Sequence, residues 1–419
     1  MLDKIVDTNE EWTLQLSSAG KNNEKIGNTV ENFVLILEND SKLKDLYMFN
    51  DFNNHYEYHA KDKKPRIWTD TDDAKVSAYI EKNYELYNEK KYAMALRIAM
   101  ESKRYNPLKD LIENEKWDGV ARIDNFLKDI LKCDSLEDDV KDYYREVSRM
   151  IFYGGIARLY HPGIKFDYMP ILIGKQGTGK STIVSWLALN DDYYREVTTV
   201  DGNAGIECLE SGWICEFSEL LAMVRQKDVQ ALKAFITRQS DKYRVPYDKY
   251  VSSMPRKCIF IGTTNDYEFL TDETGNRRYL PVEVGLERGE LYDDVKHVKD
   301  YILECWREAL YIMTEDKDNF YLTIPKKYND LVDAMQNKRM IEDPRLIELQ
   351  SFLEEKQVGD KVCSRMIWKE AFRGIEKQAT RGDYKMISGY MNKFDGWVRV
   401  DSTIQFEEYG KQKYWIRRK

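Results

Sequence analysis

Apolar and polar positions along the chain follow different patterns in different stretches, and the places where the pattern changes mark its organisation. Up to about residue 110, short apolar runs (Val30 to Leu37, Leu46 to Phe52) stand among helical patterns such as Ala74 to Tyr87 and Ala93 to Ser102, which predicts a small mixed α/β domain. Asn106-Pro107 breaks the chain after a helical stretch, and Glu115 to Gly119 reads as a turn that launches a further helical region, Ile123 to Tyr160. From Met169 to about Ile312, short apolar strands alternate with helices, the signature of an α/β fold built on a parallel sheet. Beyond Pro344, helical patterns at Leu346 to Glu355, Ser364 to Phe372 and Tyr384 to Phe394 precede two strand-like runs, Trp397 to Asp401 and Tyr414 to Arg417. Three helices followed by a hairpin predict a winged-helix-like module. The predicted domains are residues 1–110, a helical lead-in at 111–168, the parallel-sheet domain at 169–320, and a helical linker with the winged-helix-like module at 321–419. There is no internal repeat and no low-complexity tract.

The clearest chemical signal is the run Gly174-Lys175-Gln176-Gly177-Thr178-Gly179-Lys180-Ser181, set between the apolar stretch ending at Ile173 and a helical pattern from Thr182 to Leu189. A phosphate-binding loop requires this strand, loop and helix context. Its glycines let backbone N–H groups turn inward around a polyphosphate, and the helix N-terminus adds donors for anionic oxygens. Lys180 is expected to reach the β- and γ-phosphates, Ser181 to place its hydroxyl on a bridging Mg2+, and Thr182 to support the helix start.

Hydrolysis needs an acid at the end of a neighbouring strand. Trp213-Ile214-Cys215-Glu216-Phe217-Ser218-Glu219 supplies two. Glu219 sits where the strand should end, the usual place for ligands on an open α/β sheet, while Glu216 lies inside the apolar run and calls for a cation or metal partner. The pair is assigned jointly to magnesium and water activation. A second strand, Lys257 to Asn265, ends in small polar residues, and the Asn265 amide could contact the γ-phosphate or the attacking water; Thr264-Asn265-Asp266 also fits a simple turn. Arg277 or Arg278, after a Gly-Asn turn, could neutralise charge on a transferring phosphoryl group, often across a subunit boundary. Between the acid strand and the Asn265 strand, basic and aromatic residues interleave: Lys242, Arg244 and Lys249 can pair with phosphates while Tyr243 and Tyr247 offer stacking faces, as a hairpin tracking single-stranded nucleic acid would.

Charge and cysteine content narrow the picture further. A formal charge of −8 excludes a surface coated in positive charge, so nucleic-acid contacts must come from local clusters. The six cysteines are scattered without CxxC or Cys/His metal spacing, which predicts reduced thiols, no disulfides and no zinc. Met1 to Ile5 lacks a basic start before an apolar core, and no apolar run approaches bilayer-spanning length, which predicts a soluble cytoplasmic protein.

Taken together, Gly174 to Ser181, Glu216 and Glu219, Lys233-Ala234-Phe235 through Tyr247, Pro255-Arg256 with Gly262 to Asn265, and Gly275-Asn276-Arg277-Arg278 resemble the virulence-associated E family of phage- and island-encoded proteins, related to superfamily-three helicases within the AAA+ ATPases. The likeness covers about residues 105 to 315, and Trp117-Asp118-Gly119-Val120-Ala121-Arg122 is similar to the start of the family's ATPase region. It implies an AAA+-type core and a hexameric, ATP- and magnesium-dependent replicative helicase of a mobile element. Lys180, Ser181, Glu219 and Asn265 would then act in cis and Arg277 or Arg278 in trans. Relatives often carry a primase domain ahead of the motor; only about a hundred residues precede it here, with no acidic pattern of a primase. The C-terminal module, with Arg365, Lys369, Arg373, Lys377 and Arg381 near its second and third helices and Lys411, Lys413, Arg417, Arg418 and Lys419 around the wing, could dock duplex origin DNA or serve in oligomerisation. The competing readings are an ATP-driven switch or loader that does not unwind DNA, and a small-molecule kinase, for which no lid or acceptor signature is present.

Overall fold

The computed structural model describes residues 11–20, 25–61, 63–135, 137–218, 229–243, 252–270, 276–340, 343–374 and 379–418. They form two units that divide between Arg339 and Met340.

The first unit begins with the mixed N-terminal region. The apolar run from Val30 is a helix, α1 (Val30–Asn39), because Thr29 caps it: the Thr29 hydroxyl accepts from the Asn32 N–H at 3.2 Å. Helices α2 (Asp70–Tyr84) and α3 (Glu89–Glu101) pack with α1 around Phe33, Ile36, Ile80 and Leu96. A four-stranded sheet completes the region. Its strands β1 (Tyr47–Asn50), β2 (His55–Tyr58), β3 (Arg66–Ile67) and β4 (Arg104–Tyr105) lie in the order β3-β2-β1-β4. The lead-in is helical, with α4 (Pro107–Glu113), α5 (Phe126–Leu131) and the long α6 (Asp138–Tyr160).

The chain then forms the five-stranded sheet that the alternating pattern predicts. Its strands are β5 (Met169–Ile173), β6 (Tyr194–Glu196), β7 (Ile214–Phe217), β10 (Ile259–Thr264) and β11 (Tyr279–Glu283), all parallel, in the order β11-β5-β10-β7-β6. Helices α7 (Lys180–Leu187), α8 (Gly202–Glu207) and α9 (Val229–Thr237) connect these strands, and α10 (Val295–Glu315) follows them. The fold is α/β with a phosphate-loop type of parallel core. Strand β5 is buried at every position, as expected of a strand covered on both faces. In the core Trp306 packs tilted against Trp213 (ring centroids 4.3 Å) and edge-to-face with Phe152 (4.7 Å), with the Phe166 ring nearby against α6. Two helical glycines in α6 make room for these rings: a Cβ at Gly155 would lie 2.5 Å from Trp306, and one at Gly154 would strike the Phe166 ring.

Between α9 and β10, strands β8 (Ser240–Tyr243) and β9 (Ser252–Pro255) pair antiparallel. Their root is pinned: Arg256 grips Asp241 (Nε to Oδ2 2.6 Å, Nη2 to Oδ1 3.1 Å), and Lys257 donates to the Asp51 and Phe52 carbonyls of the N-terminal region at 2.6 and 2.7 Å. Residues 321–339, grouped on sequence with the C-terminal module, belong to the first unit. There α11 (Asn329–Asn337) lies on β11, and Gln336 donates to the Asn276 and Tyr279 carbonyls, both at 2.8 Å.

The second unit is winged-helix-like. Helix α12 (Pro344–Glu354), the short strand β12 (Lys361–Val362), α13 (Ser364–Met366) running on as a π turn through Ile367–Ala371, and α14 (Arg381–Met391) precede the hairpin β13 (Trp397–Phe406) and β14 (Gly410–Arg417). The sheet order is β12-β14-β13, over a core of Leu349, Leu353, Ile367, Ile387 and Trp415. The hairpin strands are longer than their sequence pattern indicates because most of their residues are not buried, which leaves no clean alternation to read.

Candidate functional site

The loop from Gly174 to Gly179 leaves β5 and turns into α7. Gly177 (φ 83°) and Gly179 (φ 86°) occupy the left-handed region, where a side chain is strained, and a Cβ at Gly179 would also meet Leu291 at 2.6 Å. The Thr178 hydroxyl ties the loop internally by donating to the Lys175 carbonyl at 3.0 Å. Lys180 folds back over the loop and donates to the Gly174 carbonyl (2.8 Å), the Lys175 carbonyl (2.9 Å) and Asn265 Oδ1 (2.9 Å). All three acceptors are neutral. Burial lowers the ammonium pKa, and the Glu216 carboxylate offsets part of that.

Glu216 is 0 % exposed. Within the protein three hydroxyls hold it: Ser181 (2.6 Å) and Thr263 (2.5 Å) donate to Oε1, and Tyr194 (2.5 Å) donates to Oε2. The sheet order explains this, because β7 lies between β6, which carries Tyr194, and β10, which carries Thr263. Burial and the hydrogen bond to Glu216 raise the Tyr194 phenol pKa, so it stays a donor. Glu219 lies outside the described residues.

The loop borders a cleft of about 480 Å³ at the C-terminal edge of the sheet, and Glu216 lies buried behind the Ser181 and Thr263 hydroxyls that line it. Gln176, Gly177, Lys180, Ser181, Thr263 and Asn265 line it, with Thr182, Glu196, Ser218 and Tyr292. Thr182 does more than start the helix: its hydroxyl shares a 2.8 Å hydrogen bond with that of Tyr292, a residue 52 % exposed. Arg288 lies over the loop, its Nε 3.5 Å from where a Gly177 Cβ would stand. Tyr194, Thr263, Arg288 and Tyr292 were not among the sequence candidates. Thr263 sits inside the recognised strand and could have been found from its register; the other three carry no motif.

Arg277 and Arg278 lie at the other edge of the sheet. They precede β11, whose Tyr279 pairs with Met169 and whose Glu283 pairs with Ile173 next to the loop. Five strand residues at about 3.3 Å each place roughly 17 Å between this turn and the loop of the same chain. Arg277 is exposed, and Arg278 Nε lies 3.9 Å from Asp167 Oδ2. Of the basic–aromatic segment, Lys242 is exposed on β8 and Tyr243 ends that strand, while Arg244, Tyr247 and Lys249 lie outside the described residues.

Residues 111–341, more than half of the chain, match the virulence-associated protein E-like domain. The chain belongs to that family. The VapE-like span takes in the loop, Glu216, Asn265 and both arginines, and leaves the N-terminal region and nearly all of the second unit outside. Among solved structures, the apo C-terminal region (305–718) of NrS-1 is similar at 13% identity and a TM-score of 0.49, covering 89% of this chain and 96% of that one. An A-form apo structure of the same region gives 14% identity, a TM-score of 0.49 and coverage of 88% and 96%. A further A-form structure gives 15%, 0.47, 89% and 96%. No curated protein matches the chain.

Proposed function

We propose that this VapE-like protein is a magnesium-dependent ATPase that serves as a DNA helicase motor in replication of a phage or other mobile element, with each nucleotide shared between neighbouring subunits of a ring, a homo-hexamer by resemblance to superfamily-three helicases. The observation that carries the reading is the closure of Lys180 on Asn265 and of Ser181 on Glu216 around a single cleft. The loop N–H groups and Lys180 would hold the polyphosphate of ATP, with Asn265 beside the γ-phosphate. Ser181 and Glu216, 2.6 Å apart and both hard oxygen donors, fit a magnesium ion, with Glu219 as the further acid. Magnesium, when bound, neutralises charge building on the phosphate oxygens. Placed about 17 Å from their own loop, Arg277 and Arg278 suit a neighbouring subunit's nucleotide better than their own. The β8–β9 pair carries Lys242 and Tyr243, which we assign with Arg244, Tyr247 and Lys249 to single-stranded DNA. No described helix is long and apolar enough to cross a membrane.

The test is steady-state ATP hydrolysis with and without single-stranded DNA, for the wild type and Lys180→Ala, at two protein concentrations. Turnover that rises with DNA and with concentration and vanishes in Lys180→Ala is expected. Turnover indifferent to both overturns the motor reading in favour of a switch or a kinase.

A further inference from the structure

The second unit contains a basic pocket of its own, with a cavity of about 380 Å³. Its floor follows from strand alternation: Lys413 and Trp415 are two apart on β14 and share a face, and Arg399 is the cross-strand partner of Trp415 on β13. The Arg399 guanidinium lies 5.8 Å from the Trp415 ring centre. Arg365, at the start of α13, and Tyr384, on α14, close the sides. Among the described residues, no carboxylate lines the pocket. Asp401 sits outside it, 3.3 Å from Lys413 Nζ and 4.0 Å from Arg399 Nε. Trp415 is 4 % exposed, and its indole N–H has no hydrogen-bond partner among the described residues. An unmatched buried donor beside converging cations and a tyrosine is costly unless something that accepts hydrogen bonds comes to it.

We propose that this pocket holds one nucleotide unit of a DNA strand, its phosphate against Arg365, Arg399 and Lys413 and its base against Tyr384. The volume suits a base with its phosphate, and the mix of cations with an aromatic face is the chemistry by which nucleic-acid strands are held. Docking therefore moves away from Lys369, one of the basic residues singled out on sequence, because Lys369 does not line the pocket. The proposal does not rest on the ATPase reading.

Ultraviolet crosslinking of bromodeoxyuridine-substituted DNA to the full chain, followed by peptide mapping, tests it without any substitution. Crosslinks on the peptides bearing Tyr384 or Trp415 are expected; crosslinks confined to other peptides, or none, overturn it. In fluorescence anisotropy with labelled DNA, Arg399→Gln combined with Lys413→Gln should weaken binding about tenfold and lower the salt slope by about one, whereas Lys369→Gln should bind as the wild type does. Equal affinity and slope in the double variant and the wild type overturn the pocket. A deoxynucleoside monophosphate should compete better than inorganic phosphate; equal competition overturns the stacking of a base on Tyr384. ATP hydrolysis without DNA should be unchanged in the double variant, which keeps failure here distinct from failure of the ATPase assignment.

Discussion

Replacing Glu216 by Gln separates the structural from the chemical work of the residue. In the free protein the carboxylate accepts three hydroxyls, two of them on Oε1. The glutamine oxygen can keep Ser181 and Thr263, and the Tyr194 hydroxyl can turn to accept from the new amide. What is lost is charge assistance on three bonds, about 1 kcal/mol each, since charged hydrogen bonds are roughly twice as strong as neutral ones. Against this, removing a fully buried charge relieves a desolvation penalty of several kcal/mol. The two nearly cancel, so urea unfolding of the nucleotide-free protein should move by no more than about 2 kcal/mol in either direction. Hydrolysis has no such compensation. Removing a charge that acts on the reacting phosphates costs about 10²–10³ in turnover, some 3–4 kcal/mol. The assays are steady-state ATP turnover and unfolding with and without magnesium nucleotide. Stability near wild type, with turnover down at least about a hundredfold and nucleotide-dependent stabilisation reduced, is expected. Turnover within about tenfold of wild type in a variant of unchanged stability would refute the assignment of Glu216 to the metal side of the site.

Gly155→Ala should lower the melting temperature by the equivalent of about 1–2 kcal/mol, because contact with the Trp306 ring outweighs the roughly 1 kcal/mol an alanine gains over glycine in a helix; an unchanged midpoint in calorimetry would show that the ring can move aside. Burial favours the neutral form of Glu57, yet hydrogen bonds from His59, Tyr105, Asn50 and Asn53 outweigh it and pull the carboxyl down to about 2. The folded pKa is depressed, so the unfolded chain takes up this proton first as pH falls from the ordinary glutamate range towards about 2, and stability is lost across that window. Unfolding curves of Glu57→Gln should depend less steeply on pH there than those of the wild type. Mixing inactive Lys180→Ala subunits with inactive Arg277→Ala or Arg278→Ala subunits should restore part of the hydrolysis, since some shared sites then receive both intact residues; no recovery at any ratio counts against an arginine acting in trans.

The turn from Gly174 to Ser181 was legible because its constraints are local: two glycines at positive φ, a lysine and a serine in sequence, and a fully buried strand ahead of them. The partners of Glu216 were not, because Tyr194 and Thr263 meet it only once β7 lies between β6 and β10. The three hydroxyls that hold the Glu216 carboxylate come from three separate segments, and no local spacing brings them together. The run Val30 to Leu37 is apolar at almost every position, and the cap from Thr29 shows it to be a helix. The winged-helix-like topology followed from three helical periods and a hairpin, but β12 has only two residues and no period to detect. Arg288 and Tyr292 carry no motif because what places them is the return of the chain past Gly177 and Thr182 after β11.

Strand β11 carries the two arginines at its start, and the chain leaving its end brings Arg288 over the loop. It is an edge strand, bonded to β5 on one side only. Its start is held by Gln336 through the Tyr279 carbonyl and its end by the pairing of Glu283 with Arg339. If the arginines act in trans as proposed, one strand joins the group that lies over its own loop to the groups offered to the next copy, so the two sites share a single element.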